Sequence, residues 1–274
     1  NWTASASTGT VVGFTAVGTG NISDVLTNTG TAPATVTYVI TASSATLGCP
    51  GTPVNYVVTI DPIPTVTNAT LTQAICSGTS ATFAPTSNVA GTTFAWTATA
   101  SAASVSGFAT SGTGNINNLI NNSGPNIETV TYVITPTGPG TSACAGTPVN
   151  FEVTVTPIPV PTPTSNTPVC VGSTLDLSTG TALAGTIYSW TGPGGFVSAL
   201  QNPNVSPTAT TAMAGTYTLT ETLNTCVGTA TTAVVVNIIP TATVSGGGAV
   251  CAPNPSSDII FTMTGAAPWT ITYS

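Results

Sequence analysis

Residues 146–156 read Gly146-Thr147-Pro148-Val149-Asn150-Phe151-Glu152-Val153-Thr154-Val155-Thr156, which sets Val149, Phe151, Val153 and Val155 on one side of an extended chain and Asn150, Glu152 and Thr154 on the other. Alternation with a period of two is the pattern of a half-buried antiparallel strand, one row in a core and the next in water. Val54, Tyr56, Val58 and Ile60 repeat it. Turn signals such as Ser77-Gly78, Ala90-Gly91, Gly138-Pro139-Gly140 and Gly192-Pro193-Gly194-Gly195 punctuate the chain at the spacing of short strands. No helical period of useful length appears, so the expected class is all-β.

Working outward, a shift of 94 residues lays Trp2-Thr3-Ala4 on Trp96-Thr97-Ala98, Gly18-Thr19-Gly20-Asn21-Ile22 on Gly112-Thr113-Gly114-Asn115-Ile116, and Val36-Thr37-Tyr38-Val39-Ile40 on Val130-Thr131-Tyr132-Val133-Ile134. With one inserted residue, Gly51-Thr52-Pro53 meets Gly146-Thr147-Pro148, and Pro62-Ile63-Pro64 meets Pro157-Ile158-Pro159. The same shift carries Cys76 onto Cys170 and Trp96 onto Trp190, opening a shorter third copy; a fourth opens at Val250-Cys251. The expected organisation is the back of one repeat (1–64), a complete repeat (65–159), a shorter complete repeat (160–240) and the front of another (241–274). Both ends then fall inside a domain, as in an excerpt of a longer array forming an elongated rod.

Composition narrows function. The 274 residues include no Lys, Arg or His and only seven acids, giving a net charge of −7. Such a chain repels nucleic acid and anionic lipid headgroups. It has no imidazole or amine for acid–base or Schiff-base chemistry, so no enzyme is expected, and no cofactor. At 41% hydrophobic, with 60 Thr among its β-branched residues, it has strand composition rather than that of a disordered linker. No apolar run is long enough for a membrane span. Scattered acids without an Asp-x-Asp loop argue against calcium, with Asp61 and Asp258 left as weak carbonyl-assisted positions.

Trp2, Trp96 and Trp190 occupy the position of a core tryptophan on an early central strand, and Tyr38, Tyr132 and Tyr217 are the matching core tyrosines. Tyr217, in Ala214-Gly215-Thr216-Tyr217-Thr218-Leu219, is placed as the corner tyrosine of an immunoglobulin-like sandwich. Cys-x-Gly before an alternating strand, a Trp strand, Gly-Thr-Gly-Asn-Ile and Val-Thr-Tyr-Val-Ile together resemble the PKD-like and immunoglobulin-like repeats of giant Bacteroidota surface proteins. The pattern is similar to that of SprB-type gliding adhesins. The resemblance implies tandem β-sandwich domains, export through the outer membrane by the type IX system, and display at the cell surface.

Cys49, Cys76, Cys144, Cys170, Cys226 and Cys251 amount to two per full repeat with one at each cut end. With no His and no Cys-x-x-Cys, disulfides in an oxidising setting are expected rather than metal. Two connectivities stand side by side: an interdomain Cys76–Cys226 staple, or intradomain Cys76–Cys144 and Cys170–Cys226. Cys49 and Cys251 take partners outside the window. A six-residue strand spans about 20 Å whereas a disulfide needs Cα atoms within about 7 Å, so pairing Cys76 with Cys144 requires a departure from simple sandwich topology.

The leading expectation for function is a non-catalytic stalk segment of an extracellular filament or adhesin. Its partners would be neighbouring repeats or copies of itself, and surface glycans or other cells. The alternatives are a subunit of a fibre polymerised by head-to-tail strand complementation and, behind it, a carbohydrate-binding module with an exposed row of aromatics.

Overall fold

The computed structural model describes residues 1–140, 142–249, 251–253, 258–265 and 267–272; Val250, which opens the fourth copy, and Ser274 lie outside them. Strands dominate, and the helical turns among the described residues are 3-10 turns at Pro193–Gly195 and Thr211–Met213. The composition explains this, because Val, Ile and Thr carry two heavy atoms on Cβ and pack well on a pleated surface. The chain divides into two compact units, Asn1–Pro157 and Ile158–Ser274.

In the first unit, residues 2–60 form a sheet in the order Val17–Gly18, Trp2–Ala6, Ala34–Ile40, Val54–Ile60, every pair antiparallel. A short ladder of Val11–Val12 and Thr27–Asn28 contributes Val11 to a core with Trp2, Ala34, Val36 and Tyr38. Residues 72–156 form a fuller sandwich. Its larger sheet runs Ser111–Thr113, Thr93–Ala100, Glu128–Thr137, Val149–Thr156, Thr72–Cys76, and its smaller one Val105–Ser106, Ile116–Asn122, Thr79–Phe83. The closing pair of the larger sheet is parallel, with Thr72 opposite Glu152 and Cys76 opposite Thr156. Parallel neighbours need a long connection, and here nearly the whole sandwich lies between them.

A difference between these two sheets follows from that closing strand. Phe151 is 2% exposed, stacked on Phe83 at 4.3 Å, whereas Tyr56 at the matching place is 59% exposed. Among residues 1–64, Val54–Ile60 is the last strand of its sheet, paired with Ala34–Ile40.

The second unit repeats the plan with shorter strands. One sheet runs Phe196–Ser198, Ile187–Gly192, Gly215–Leu223, Cys226–Val234; the other runs Thr164–Ser165, Leu175–Ser178, Asn204–Ser206. Val169–Cys170 again pairs in parallel with the end of the repeat, Val236–Asn237. Trp190, Leu175, Leu177, Tyr217 and Leu219 fill the core. Beyond it, Thr241–Gly246 and Ile259–Thr264 form a hairpin with Ile259, Ile260 and Phe261 exposed.

Aromatic pairs set the centre of the first unit. Trp2 meets Tyr38 edge-on at 5.6 Å and 73°, and Trp96 meets Tyr132 at 5.5 Å and 75°. This is the arrangement favoured by ring quadrupoles. The first glycine of each Gly-Thr-Gly-Asn-Ile segment is explained by the indole. A methyl on Gly18 or Gly112 would sit 2.3 Å from Cζ2 of Trp2 or Trp96. In the second unit Tyr217 donates its hydroxyl to the Met213 carbonyl at 3.0 Å, four residues upstream, which is the corner-tyrosine bond.

Gly112→Ala is expected to destabilise residues 72–156 by about 1–3 kcal/mol, the usual cost of overpacking. Hydrogen exchange of the Glu128–Thr137 strand measures it. Gly9→Ala, where nothing lies within 4 Å, is the neutral control. Tyr217→Phe should cost about 1 kcal/mol in the second unit, one net hydrogen bond, read as a lowered denaturant midpoint.

Candidate functional site

With no side-chain cation in the chain, a carboxylate must be satisfied by neutral donors, and the acids show how. Asp24 accepts from the Thr15 amide at 3.0 Å, the Thr15 hydroxyl at 2.9 Å and the Tyr38 hydroxyl at 2.7 Å. Glu128 accepts from Ser101 at 2.5 Å, Asp176 from Asn204 at 2.7 Å, and the buried Glu221 from Thr179 at 3.2 Å. These contacts tie loops to strands and do not converge. Among the described residues no group of three or more His, Cys, Asp or Glu is placed to hold a metal ion, and Asp61 lies against Gly140 without further acids.

The Thr15 amide, followed by the Tyr38 hydroxyl, holds the Asp24 carboxyl below its ordinary value of 3.8. Burial first, and the Asp24 carboxylate second, push the Tyr38 phenol up from 10.0 to about 12. In the second sandwich Asn118 stands where Asp24 would, and its Oδ1 accepts from the Ala109 amide at 3.0 Å. Burial alone raises the phenol of Tyr217, and burial is the main cause of the rise at Tyr132.

The remaining chemistry lies where each repeat is entered and left. Cys76 ends the strand beside Thr156, the residue before Pro157. Cys144 sits in the hairpin at the other end of Val149–Thr156, where Gly138 donates to its carbonyl at 2.8 Å. Eight residues at about 3.3 Å each separate those two ends, far beyond disulfide reach. Cys170 likewise stands opposite Asn237 at the exit of its repeat, while Cys226 begins the hairpin strand Cys226–Val234. Cys76 and Cys226 are disulfide-bonded, whereas Cys49, Cys144, Cys170 and Cys251 are free thiols.

The proline segments lie against those hairpins. An added Cβ on Gly146 would come 1.9 Å from the Pro64 carbonyl oxygen, and one on Gly228 would come 1.9 Å from that of Pro159. Only a residue without a side chain permits such an approach.

The PKD-like domain family matches residues 1–64 and 73–159, more than half of the chain. The chain belongs to the PKD-like domain family. No curated protein matches it. Among solved structures it is similar to the N-terminal eight Ig domains of Down Syndrome Cell Adhesion Molecule isoform 1.30.30, at 15% identity and TM-score 0.42 over 89% of this chain and 32% of that one. It is also similar to the amphioxus IgVJ-C2 molecule, at 14% identity and TM-score 0.33 over 59% of this chain and 99% of that one. The chain thus spans about a third of the length of the first. The fold rests on the strand order and the family match, not on these two likenesses.

In this PKD-like chain the tryptophans and tyrosines singled out by sequence, Trp2, Trp96, Trp190, Tyr38, Tyr132 and Tyr217, are all buried. Those three indoles offer no face to a sugar; Tyr56, Phe261 and Trp269 are exposed, on separate elements. No described helix is long and apolar enough to cross a membrane. Sequence reasoning passed over Asp24, although the repeat shift offered the signal by placing it on Asn118 within otherwise matching segments.

The linkage signs are fixed by the directions. A lowered Asp24 contributes stability above its ordinary value near pH 3.8 that drains away on acidification, and a raised Tyr38 contributes stability below pH 10 that is lost as pH climbs through about 12. Asp24→Asn should flatten the acid limb for residues 1–60 and bring Tyr38 ionisation to lower pH. Residue-resolved NMR titration of both proteins checks each half.

Proposed function

We propose that the chain is a non-catalytic stalk segment of a long extracellular filament or adhesin displayed at a cell surface. Its tandem sandwich repeats occupy residues 1–64, 65–159, 160–240 and 241–274. The observation that carries the reading is the recurrence of one framework, with the same buried Trp–Tyr geometry 94 residues apart. A repeated core serves extension. Neutral hydroxyl-rich surfaces and the absence of Lys and Arg suit an exterior exposed to trypsin-like proteases. Giant gliding adhesins of the SprB type are the class this fits, with neighbouring repeats as partners within the chain and surface glycans or other cells at its far end.

Cys76 and Cys226 close on one another in this reading, a covalent staple between consecutive repeats. The free thiols of Cys144 and Cys170, beside disulfide-bonded Cys76 and Cys226, support it. A second reading, a fibre polymerised by strand complementation, draws on the exposed Tyr56 of Val54–Ile60 and the exposed Phe261 of the 241–264 hairpin.

Denaturing electrophoresis of the native filament separates the two: a stalk runs at very high mass, and a polymer collapses to one small band. Prolyl endopeptidase cleavage between residues 157 and 163 tests the staple. The two fragments are expected to remain one mass until reductant is added, and separation without reductant overturns it.

A further inference from the structure

We propose that the outer edge of strand Cys226–Val234, over residues 229–233, pairs with the same edge of a second copy of this chain, antiparallel about a two-fold axis at Thr231. The inference goes beyond the stalk reading: it sets two chains side by side, where that reading concerns one.

The strand is nine residues long and lies last in its sheet, with Gly215–Leu223 along one side. Among the described residues no strand and no backbone hydrogen bond meets Thr229–Ala233 from the other side. The matching strand of the 72–156 sandwich, Val149–Thr156, is covered there by Thr72–Cys76 over five pairs. In the second unit the entry strand pairs with Val236 and Asn237 and goes no further. Carried back along the chain, its parallel register would set Thr164 opposite Thr231 and Ser165 opposite Thr232. Those two residues pair instead with Ser178 and Leu177 in the other sheet. Pro161, Pro163 and Pro168 strip amide donors from the same stretch. The Thr167 hydroxyl takes both backbone groups of Val235, donating to its carbonyl at 3.0 Å and accepting from its amide at 2.6 Å. Burial follows the covering: Phe151, Val153 and Val155 are buried, whereas Ala230 and Thr232, the inward row of the uncovered strand, are half-buried.

An uncovered edge is a template for another strand, and proteins commonly guard such edges with Lys, Pro, a bulge or a short length. Thr229-Ala230-Thr231-Thr232-Ala233 has none of these guards, and its register against Gly215–Leu223 is unbroken. Other edges have them. Gln73 Oε1 takes the Thr82 amide on the edge of Thr79–Phe83 at 3.0 Å, and Asn204–Ser206 is three residues long with a register shift against its neighbour. A second copy fits the open edge by charge and by sequence. Seven acids and no side-chain cation make two copies repel wherever carboxylates face each other. The exposed row Thr229, Thr231 and Ala233 carries no acid, nor does the row of Thr216, Thr218, Thr220 and Thr222 beside it, and Glu221 of that neighbouring strand is buried on the inward face. About the two-fold, Thr231 meets Thr231, Thr229 meets Ala233 and Ala230 meets Thr232. That makes five pairs, as many as close the 72–156 sandwich.

The test is sedimentation equilibrium of the 274-residue chain, its free thiols carbamidomethylated so that no mass is gained through sulfur. A concentration-dependent rise from monomer to dimer mass is expected, and with it hydrogen exchange at Thr229–Ala233 slowed by about tenfold. Thr218 stands opposite Thr231 within the sheet. Across the axis two Thr231 residues lie about 4.8 Å apart and two Thr218 residues, one strand further in on each side, about 14 Å, beyond the screening length of about 10 Å at 0.1 M salt. Thr231→Glu should therefore abolish the dimer, whereas Thr218→Glu and Thr231→Val keep it. A chain monomeric at every concentration, a dimer that survives Thr231→Glu, or one lost equally with Thr218→Glu overturns the pairing. Should Thr231→Glu fail to fold, exchange on the unaltered chain decides: dimer formation without protection at 229–233 overturns it.

Discussion

The structure depends on the inward rows of its central antiparallel strands. In Thr93–Ala100 and Glu128–Thr137, Trp96, Ala98, Val130, Tyr132 and Ile134 share one face, and the register sets Trp96 opposite Ile134, beside Tyr132. A slip of one residue would turn all of them to water and bring threonines inward. Trp2 and Tyr38 obey the same constraint, and in the second unit Trp190 faces Leu219 in the same manner. Loops, prolines and cysteines are arranged around that fixed register.

The lack of cations is the second constraint, and it works through hydrogen bonding. An ordinary domain offers Lys or Arg to each carboxylate; here Thr, Ser, Tyr and Asn must do so. The geometry is correspondingly local, with Asp24 clamping the loop at Thr15 and Asp176 clamping Asn204 across the small sheet. Hydroxyl donors are weaker partners than guanidinium but cost less to desolvate, which is consistent with a buried Glu221 that accepts from Thr179.

Much of this was legible beforehand because side-chain alternation reports the strand directly. Val149 to Val155 and Val54 to Ile60 declare their faces in sequence, and the Tyr217 corner announces itself through its Gly-Thr-Tyr setting. What stayed hidden depends on partners distant in the chain. Nothing local in Thr72–Cys76 reveals that it pairs in parallel with the final strand of its repeat. Gly112 reads as a turn residue until Trp96 is seen above it, and Gly146 as a loop residue until Pro64 crosses it. Six cysteines carry no local pairing rule, so connectivity is open in the sequence.

The parallel closing pair carries a mechanical consequence. The chain enters the 72–156 sandwich along Thr72–Cys76 and leaves along Val149–Thr156, side by side and pointing the same way, with five residue pairs in register. Tension applied to entry and exit therefore slides these strands lengthwise, loading their hydrogen bonds in shear all at once instead of peeling them singly. In the second unit the corresponding patch, Val169–Cys170 against Val236–Asn237, is only two pairs long. Under the same tension the shorter repeat would yield at lower force than its longer neighbour.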